Sequence, residues 1–479
     1  MRQRHSPFQS FDPPLFFQLQ TFDSLKNSYW LRSGFYTLSE KGTSLLFGFG
    51  SAVLLFRSLT KEEFGTWILF LTIVSILEVG RIGLLQNALI KYLATHEGED
   101  AGKINTASLV LNILMTACIV LLLFALAAPL SMLMKAPGLA QLLYIYTITT
   151  ALLVPFFQFN YIQQANLDFK GIFWSTATRG GMMFGYVLFM FVQSEHITLA
   201  SLAICQIASA GVASVIAWHF AKPYSRYTRH AEWGWIKKLF RFGKYVLGTN
   251  LSAQLFRNVD KLLLGSLPAG GTAAVALYDA AMRITNLMDV PTASMASILY
   301  PQSAKRMEEG KSAVKDLYEK AVGAILVFMF PCITAVLIFA ERIISIVAGP
   351  GYEEAANLLR ITVFFGFFVP YAVQFGTVLD SIGKPRFNFF FTLMSLGLNA
   401  LCNWIFISRY GVFGAAAGTL AAYAISFVVM QLFLNKILRI NPLNALVYMA
   451  GYYRQIGGIA LKIVRGKTSL KGLSPLAKQ

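Results

Sequence analysis

The sequence predicts an all-α integral membrane protein with twelve transmembrane helices in two pseudo-symmetric six-helix lobes. Three observations lead to this fold class. Of the 479 residues, 56% are hydrophobic and 13% are charged, which is about half the charged fraction of an ordinary soluble domain. Apolar runs of about twenty residues, long enough to cross a bilayer, recur along nearly the whole chain. Short patterns from the first half of the chain also return in the second half.

The apolar runs place the spans, and the connections between them are short. The longest connection lies between the sixth and seventh spans and leaves no room for a soluble domain. In chain order, the predicted spans are residues 35–57, 64–90, 106–133, 140–162, 170–192, 197–219, 246–266, 273–301, 318–346, 356–379, 387–408 and 412–435.

These spans divide the chain into five segments. The N-terminal lobe is 35–220 and the C-terminal lobe is 246–436, and a basic cytoplasmic linker, 221–245, joins them. A cytoplasmic N-terminal segment, 1–34, precedes the lobes, and a basic amphipathic tail, 437–479, follows them.

The Lys and Arg residues are concentrated in alternate connections. The formal net charge is +18, and most of it lies in segments that share one side with the N-terminus, including the linker. The predicted outer connections hold only Arg57, Lys61, Lys135, Arg342 and Arg409. Cytoplasmic loops of membrane proteins carry such an excess, so we expect both chain ends to be cytoplasmic. The charge therefore indicates topology and gives no reason to expect a nucleic-acid partner.

The tail from Ile440 onward contains apolar and basic residues in an amphipathic pattern. We expect a helix lying on the inner membrane surface rather than a thirteenth span, because Arg454 and Lys462 are unfavourable in lipid.

Two patterns recur between the halves. LEVG around Glu78 corresponds to MDVP around Asp289, and FRSL at 56–59 corresponds to LGSL at 264–267, at nearly the same offset. Six helices return the chain to its starting side, so the repeats are related by an axis along the membrane normal. Such duplicated lobes favour transport by alternating access, with a site between the lobes. The alternative is an old duplication that is kept only for packing.

The seventh span carries a polar stripe. Asn250, Gln254, Arg257 and Lys261 are spaced four, three and four residues apart, so they share one helix face, and Asp260 lies beside them. Because charged side chains are costly in lipid, we expect this face to contact protein or a water-filled cavity.

Other intramembrane charges are candidates for function. Each close pair is either an ion pair that joins helices or part of a functional site. The two repeat-related acids each stand two residues before a helix-disturbing Gly80 or Pro291, where acids and backbone groups meet coupling ions. The ion-coupling candidates are Glu78, Asp289, Asp260 and Asp279.

The intramembrane cations outnumber these acids, which indicates an anionic substrate. Arginine is suited to bidentate phosphate binding, so a phosphate or pyrophosphate group is expected. The substrate-binding candidates are Arg257, Lys261, Arg283, Arg179, Arg81 and Arg360. The four cysteines lie inside apolar runs without CxxC spacing, so no metal or other cofactor is expected.

The second half contains a motif that resembles a known family. Leu398-Asn399, Asn403, Ile407-Ser408-Arg409-Tyr410-Gly411 and Gly414-Ala415-Ala416 resemble the LN…N…IPRYG..GAA signature of the bacterial polysaccharide transporter family, with Ser408 in place of the usual Pro. This family includes the O-antigen flippases and is a branch of the superfamily that also holds the MATE-type multidrug exporters. Similar matches occur at 61–65, 300–301 and 383–384, and the resemblance covers about 35–436.

The resemblance implies a MATE-like fold in a bacterial inner membrane. It implies a flippase that moves an undecaprenyl-pyrophosphate-linked oligosaccharide repeat unit to the outer leaflet for surface polysaccharide or O-antigen synthesis, driven by a proton or sodium gradient. The implied partners are this lipid-linked oligosaccharide, membrane lipid and H⁺ or Na⁺. Polymerase and chain-length proteins of the same pathway are further candidate partners.

Two alternatives remain. A multidrug exporter of the same fold would need an acidic cavity for cationic drugs, whereas the predicted interior is net basic. An integral-membrane glycosyltransferase or polymerase would need a sizeable catalytic loop, and no predicted connection is large enough. We therefore expect a transporter rather than an enzyme.

Overall fold

The computed structural model describes residues 29–464, and this part of the chain consists of helices joined by short connections, with one 3₁₀ turn at Lys222–Tyr224. The helices are α1 Tyr29–Ser58, α2 Lys61–Leu93, α3 Gly98–Leu133, α4 Leu139–Ala165, α5 Phe169–Val192, α6 Leu199–Ala221, α7 Trp233–Ser266, α8 Thr272–Asn286, α9 Asp289–Arg306, α10 Lys311–Val347, α11 Glu354–Thr362, α12 Phe365–Ser381, α13 Pro385–Leu438 and α14 Pro442–Val464. The predicted all-α class is confirmed.

Helical segments cover each predicted span. By length and composition, seven helices of the part described can cross a membrane: α2, α3, α4, α6 with its 3₁₀ extension, α10, the continuous pair α11–α12, and α13. The number of twelve spans stays a prediction. The helices over the first, fifth, seventh and eighth predicted spans do not meet a criterion based on hydropathy, and α13 counts once although it contains two predicted spans.

Helix α13 contains the two last predicted spans in its 54 residues. At Gly411 the backbone adopts φ 55° and ψ −131°, a conformation that only glycine adopts without strain. Asn403 Nδ2 donates to Thr419 Oγ1 at 2.9 Å across this point. The two arms of α13 therefore fold back on each other, as the predicted boundary at 408–412 requires.

The sequence predicts a disturbed helix beside each repeat-related acid, but the structure has one only beside Asp289. The eighth span is interrupted at 287–288, and Pro291 lies in the first turn of α9, where its missing N–H is tolerated. The expected disturbance at Gly80 is wrong, because α2 runs without a break through this residue. A Cβ at Gly80 would lie 3.7 Å from the Leu247 side chain, so this glycine packs against α7.

Helix α2 links the two halves of the chain, since it packs against α7 and α8. Two glycines permit a close approach of α2 and α7. A Cβ on Gly83 would lie 2.9 Å from Leu247 Cα, and a Cβ on Gly243 would overlap the backbone carbonyl of Leu84. The two helices are therefore in backbone contact near their predicted cytoplasmic ends.

Two helices add detail to the predicted segments. Helix α7 begins at Trp233, inside the predicted linker 221–245. The tail helix α14 packs along α10, and its position on the inner membrane surface stays a prediction. The Tyr453 hydroxyl donates to Val327 O at 2.6 Å, and buried Glu319 accepts from Asn444 Nδ2 at 2.9 Å. Residues 1–28 of the predicted N-terminal segment and 465–479 of the tail lie outside the described residues.

Candidate substrate site

A cavity of about 710 Å³ lies in the second half of the chain, between α7, α8, α9, α12 and α13. Its charged lining residues are Arg257, Asp260, Lys261 and Asp289. Aromatic side chains form much of the remaining wall: Phe256, Phe365, Phe368, Phe375, Tyr423 and Phe427. The cavity therefore combines both signs of charge with an apolar surface, as ligand-binding pockets commonly do.

The polar stripe of α7 faces protein at one end and this cavity at the other. The amide of Asn250 lies beside Gly83 of α2, and Gln254 Nε2 donates to Ser75 Oγ at 3.0 Å, also on α2. Arg257 and Lys261 then line the cavity. These contacts agree with the expected protein and cavity environment of the stripe, and its avoidance of lipid stays a prediction.

Lys261 and Arg283 share one carboxylate. Lys261 Nζ lies 2.6 Å from Asp279 Oδ1, and Arg283 Nε lies 2.8 Å from Asp279 Oδ2. The Asp279 side chain is 5% exposed, whereas those of Lys261 and Arg283 are 14% and 24% exposed. A single buried carboxylate therefore joins α7 to α8, and these three side chains together carry one net positive charge.

Asp260 has a different partner. Its Oδ2 accepts from the Tyr278 hydroxyl at 2.6 Å, and its Oδ1 accepts from the backbone N–H of Lys261 at 2.8 Å. The residue is 2% exposed. Asp260 therefore does not pair with Arg257, although the two are three residues apart.

Arg257 and Asp289 are the cavity charges without a bonded partner, although they are close enough to interact electrostatically. Arg257 is exposed and Asp289 is half-buried. Within residues 29–464, neither side chain makes a hydrogen bond or an ion pair within 4 Å. Because the five N–H donors of the guanidinium stay available, Arg257 can accept a ligand without first breaking an internal bond.

Glu78 and Arg81 form a buried pair in the first half. Arg81 Nη1 lies 3.4 Å from Glu78 Oε2, and Arg81 Nη2 also donates to Thr150 Oγ1 at 2.6 Å and Thr116 Oγ1 at 3.0 Å. Glu78 Oε1 accepts from Thr150 Oγ1 and from the Tyr146 hydroxyl. Arg81 is completely buried, so in this conformation it has no access to a substrate.

Three further candidate cations also lie outside the cavity lining. The guanidinium of Arg283 lies 5.9 Å from the Phe56 ring centroid. The guanidinium of Arg179 lies over the Phe156 ring, 5.5 Å from its centroid. Arg360 Nη2 pairs with Glu341 Oε1 at 2.8 Å, and its side chain is 37% exposed. The surplus of cations that the sequence suggests is reduced accordingly, because Glu78 compensates Arg81 and Glu341 compensates Arg360.

On the α12 and α13 side of the site, the sequence singled out Asn399 as part of the family motif, but not the lining residues Asn388 and Tyr423. Asn388 and Tyr423 line the cavity, and Asn399 Nδ2 donates to Phe256 O at 3.0 Å, which holds α13 against α7. The sequence does offer a signal for Asn388, because it is a polar residue flanked by phenylalanines. Tyr423 gave no signal, because its role depends on how α13 folds back at Gly411.

The comparisons with known proteins agree on fold. Residues 54–357 match the family described as "Polysaccharide biosynthesis protein". The probable low-salt glycan biosynthesis flippase Agl15 of Haloferax volcanii is 24% identical over 249 residues, or 52% of this chain and 50% of that protein. The chain thus spans about half the length of the curated relatives it matches.

Two solved structures are similar over most of the chain. An inward-facing multidrug resistance MATE family transporter of the MOP superfamily gives a TM-score of 0.71 at 16% identity, covering 83% of this chain and 94% of that chain. The lipid II flippase MurJ, in an inward closed conformation, gives a TM-score of 0.71 at 14% identity, covering 89% and 92%. The predicted MATE-like fold is confirmed, and the chain belongs to the polysaccharide biosynthesis protein family, as the motif around Asn399 and Gly411 predicts.

Proposed function

We propose that this protein is a flippase that moves a lipid-linked oligosaccharide across a membrane for surface polysaccharide synthesis. Family membership and the MATE-like fold support a transporter rather than an enzyme. The observation that carries the substrate assignment is the free guanidinium of Arg257 in a cavity with aromatic walls. Arginine binds pyrophosphate by two parallel hydrogen bonds, and aromatic faces pack against sugar rings.

The proposed contact with the pyrophosphate is made by Arg257, with Lys261 beside it. Lys261 is held by Asp279 but retains donor capacity, because an ammonium group has three N–H donors. Arg283, on the same carboxylate, contributes to the local positive charge. Arg81 is buried in an ion pair with Glu78, and Arg360 forms an exposed ion pair with Glu341. Neither arrangement supports a substrate role, so the proposal omits both arginines.

Alternating access between the lobes 35–220 and 246–436 is part of the proposal. Packing in the first half, of α1 on α5, corresponds to packing of α7 on α13 in the second, which supports a repeat. The halves are also joined at the predicted outer end. Arg57 Nη2 donates to Ile346 O at 2.7 Å, and the Phe56 ring lies 5.0 Å from Tyr352. These contacts support a conformation closed on the outside.

Coupling to a proton or a sodium ion is proposed for Asp289, with Glu78 as its repeat counterpart. Asp289 and Arg257 both line the cavity. Binding of an ion or a proton to Asp289 would therefore change the electrostatic potential at the Arg257 guanidinium. Glu78 Oε2 is buried and accepts no hydrogen bond in the described structure, but it lies 3.4 Å from Arg81 Nη1. Asp289 therefore offers the free carboxylate, and a cation at Glu78 would compete with the ion pair to Arg81.

The rival function is a multidrug exporter of the same fold. The cavity has balanced charge rather than the acidic lining that cationic drugs require, which favours the flippase.

Reconstitution separates the two functions. The full chain is placed in vesicles that contain a fluorescent undecaprenyl-pyrophosphate-linked oligosaccharide, and the fraction accessible to a membrane-impermeant quencher is followed with time. Protein-dependent exposure of the inner-leaflet lipid under a proton or sodium gradient supports the proposal. Efflux of a cationic dye without lipid movement would support the exporter and overturn it.

A further inference from the structure

A second cavity, of about 580 Å³, lies away from the candidate substrate site, where the end of α2 meets the start of α7. Tyr92 of α2 lines it on one side. The residues of α7 that line it are Gly234, Lys237, Lys238, Arg241, Phe242 and Val246. The cavity is therefore shared by a helix from each half of the chain, on the predicted cytoplasmic side.

The basic side chains of this cavity form no ion pairs. Lys237, Lys238 and Arg241 are exposed, as is the adjacent Lys91. Across residues 29–464, none of the four forms an ion pair within 4 Å. The nearest acid in sequence, Glu232, faces Lys103 at 3.8 Å with Oε2, and its Oε1 lies beside Gly234. Four cations and one nearby acid leave an excess of positive charge here, which favours an anionic ligand.

Aromatic rings hold these cations in place. Lys238 Nζ lies 4.1 Å from the Trp235 ring centroid and 4.8 Å from that of Tyr92, and Lys91 Nζ lies 4.5 Å from that of Phe242. The Tyr92 and Trp235 rings meet edge to face at 5.8 Å. Cation–π contacts of this kind restrict the ammonium groups while their N–H donors stay available.

The backbone adds to the positive potential. Gly234 belongs to the first turn of α7, where the helix dipole is positive. The N–H groups of Trp235 and Ile236 donate to Glu232 O, and the N-cap residue Glu232 makes no side-chain cap, although its Oε1 lies beside Gly234. The start of α7 therefore adds a small positive potential to that of the three basic side chains.

The apolar part of the cavity indicates that the anion carries a hydrocarbon chain. Phe242 and Val246 line the cavity towards the membrane-spanning part of α7. Trp233 and Phe240 are 73% and 49% exposed at the same end of the helix, and exposed aromatics beside basic residues are typical of the membrane interface. A soluble anion would leave this apolar wall unused.

We propose that this cavity binds the phosphoryl headgroup of an acidic membrane lipid. Lys237, Lys238 and Arg241 contact the phosphoryl oxygens, and the lipid chain lies along Phe242 and Val246. Because Tyr92 belongs to the first half and the cations to the second, a bound headgroup stabilises the contact of α2 with α7. This site does not depend on the proposed flippase function.

The test measures lipid binding by the full-length chain, purified in a neutral detergent, with native mass spectrometry. The probes are dioleoyl phosphatidylglycerol, dioleoyl phosphatidylcholine, farnesyl pyrophosphate and inorganic pyrophosphate. We expect the K237Q/K238Q/R241Q variant to weaken binding of the acidic lipid by on the order of tenfold to a hundredfold. The K237R/K238R/R241K variant should retain binding, because it keeps the charge.

The matched control, K305Q/R306Q/K311Q, removes three exposed cations from the same predicted side and should change affinity less than about twofold. Retention of phosphatidylglycerol alone identifies a bulk phospholipid, and retention of farnesyl pyrophosphate alone identifies a prenyl pyrophosphate. Either result supports the site, as does binding of both. Equal retention of phosphatidylcholine, an equal loss in the control variant, or binding of inorganic pyrophosphate as tight as that of the lipids would overturn the proposal.

Discussion

Lys261 Nζ of α7 lies 2.6 Å from Asp279 Oδ1 of α8, and the other carboxylate oxygen of Asp279 accepts from Arg283. One buried acid thus neutralises part of a cationic group that adjoins the cavity. A buried ion pair contributes little relative to apolar side chains, but removal of one partner leaves an uncompensated charge. The stability of this region therefore depends on Asp279 more than on either cation.

Asp279→Asn is expected to destabilise the protein by about 3–5 kcal/mol, because it leaves Lys261 and Arg283 without their shared acidic partner. The K261M/D279N double variant should recover part of this loss. Thermal unfolding in detergent measures both effects. Glu341→Gln is the control, since it removes the acid of the exposed pair with Arg360 and should change stability by less than about 1 kcal/mol. Equal effects of the two acid substitutions would contradict the structural role given to Asp279.

Arg257→Ala is expected to reduce transport of the lipid-linked oligosaccharide by about tenfold to a hundredfold, because a charged hydrogen-bond donor to the ligand is lost. Arg257→Lys should fall in between, since it keeps the charge but loses the planar fork. Initial transport rates in the vesicle assay rank the wild-type protein, Arg257→Lys and Arg257→Ala. Arg360→Ala serves as the comparison, because Arg360 lies outside the cavity lining and should leave the rate near wild type. Normal transport by Arg257→Ala would remove the pyrophosphate contact from the proposal.

Asp289→Asn and Glu78→Gln are expected to weaken transport and to change its dependence on pH or on sodium. The reason is that each removes a carboxylate that can take up the driving cation. Transport rates measured across pH, with and without sodium, test the prediction, and membrane content of each variant is measured in parallel. If both variants transport normally at every pH, the acids serve the structure alone.

Gly243→Ala is expected to destabilise the protein by about 1–3 kcal/mol, because the added methyl group overlaps the Leu84 carbonyl and forces α7 away from α2. Gly248→Ala is the matched control in the same helix, where the nearest atom to a new Cβ is 4.0 Å away, on the Phe389 ring. This substitution should be neutral or stabilising, since alanine favours the helix by about 1 kcal/mol over glycine. Thermal unfolding of both variants compares them, and an equal effect would contradict the backbone contact.

Reporter fusions test the membrane topology. Fusions after Gly138 and Gly351 are expected to report the outer side, and fusions after Arg229 and Lys311 the cytoplasmic side, because Lys and Arg are concentrated on the inner segments. Paired alkaline phosphatase and green fluorescent protein fusions give opposite signals at each position. An outer-side signal at Arg229 would contradict the two-lobe proposal, since that connection joins the halves.

Much of the fold is determined by local sequence properties. The apolar runs define the helical segments, because a bilayer leaves the backbone few other ways to satisfy its hydrogen bonds. Gly411 ends one span and starts the next, since only glycine adopts that backbone conformation easily. The helical spacing of Gln254, Arg257 and Lys261 also determined that these residues share a face, and the cost of charge in lipid determined that this face points inward.

Only the tertiary structure determined which charged groups pair with one another. Asp260 is adjacent to Lys261 and three residues from Arg257, yet its carboxylate bonds to Tyr278, and Lys261 bonds to Asp279 of the next helix. Sequence spacing gives the direction of a side chain from its own helix, whereas a pairing depends on the rotation and height of the neighbouring helix. For the same reason only the tertiary structure shows that Arg257 has no ion-pair partner within 4 Å among the described residues, and that Tyr92 of the first half meets the basic start of α7 in the second.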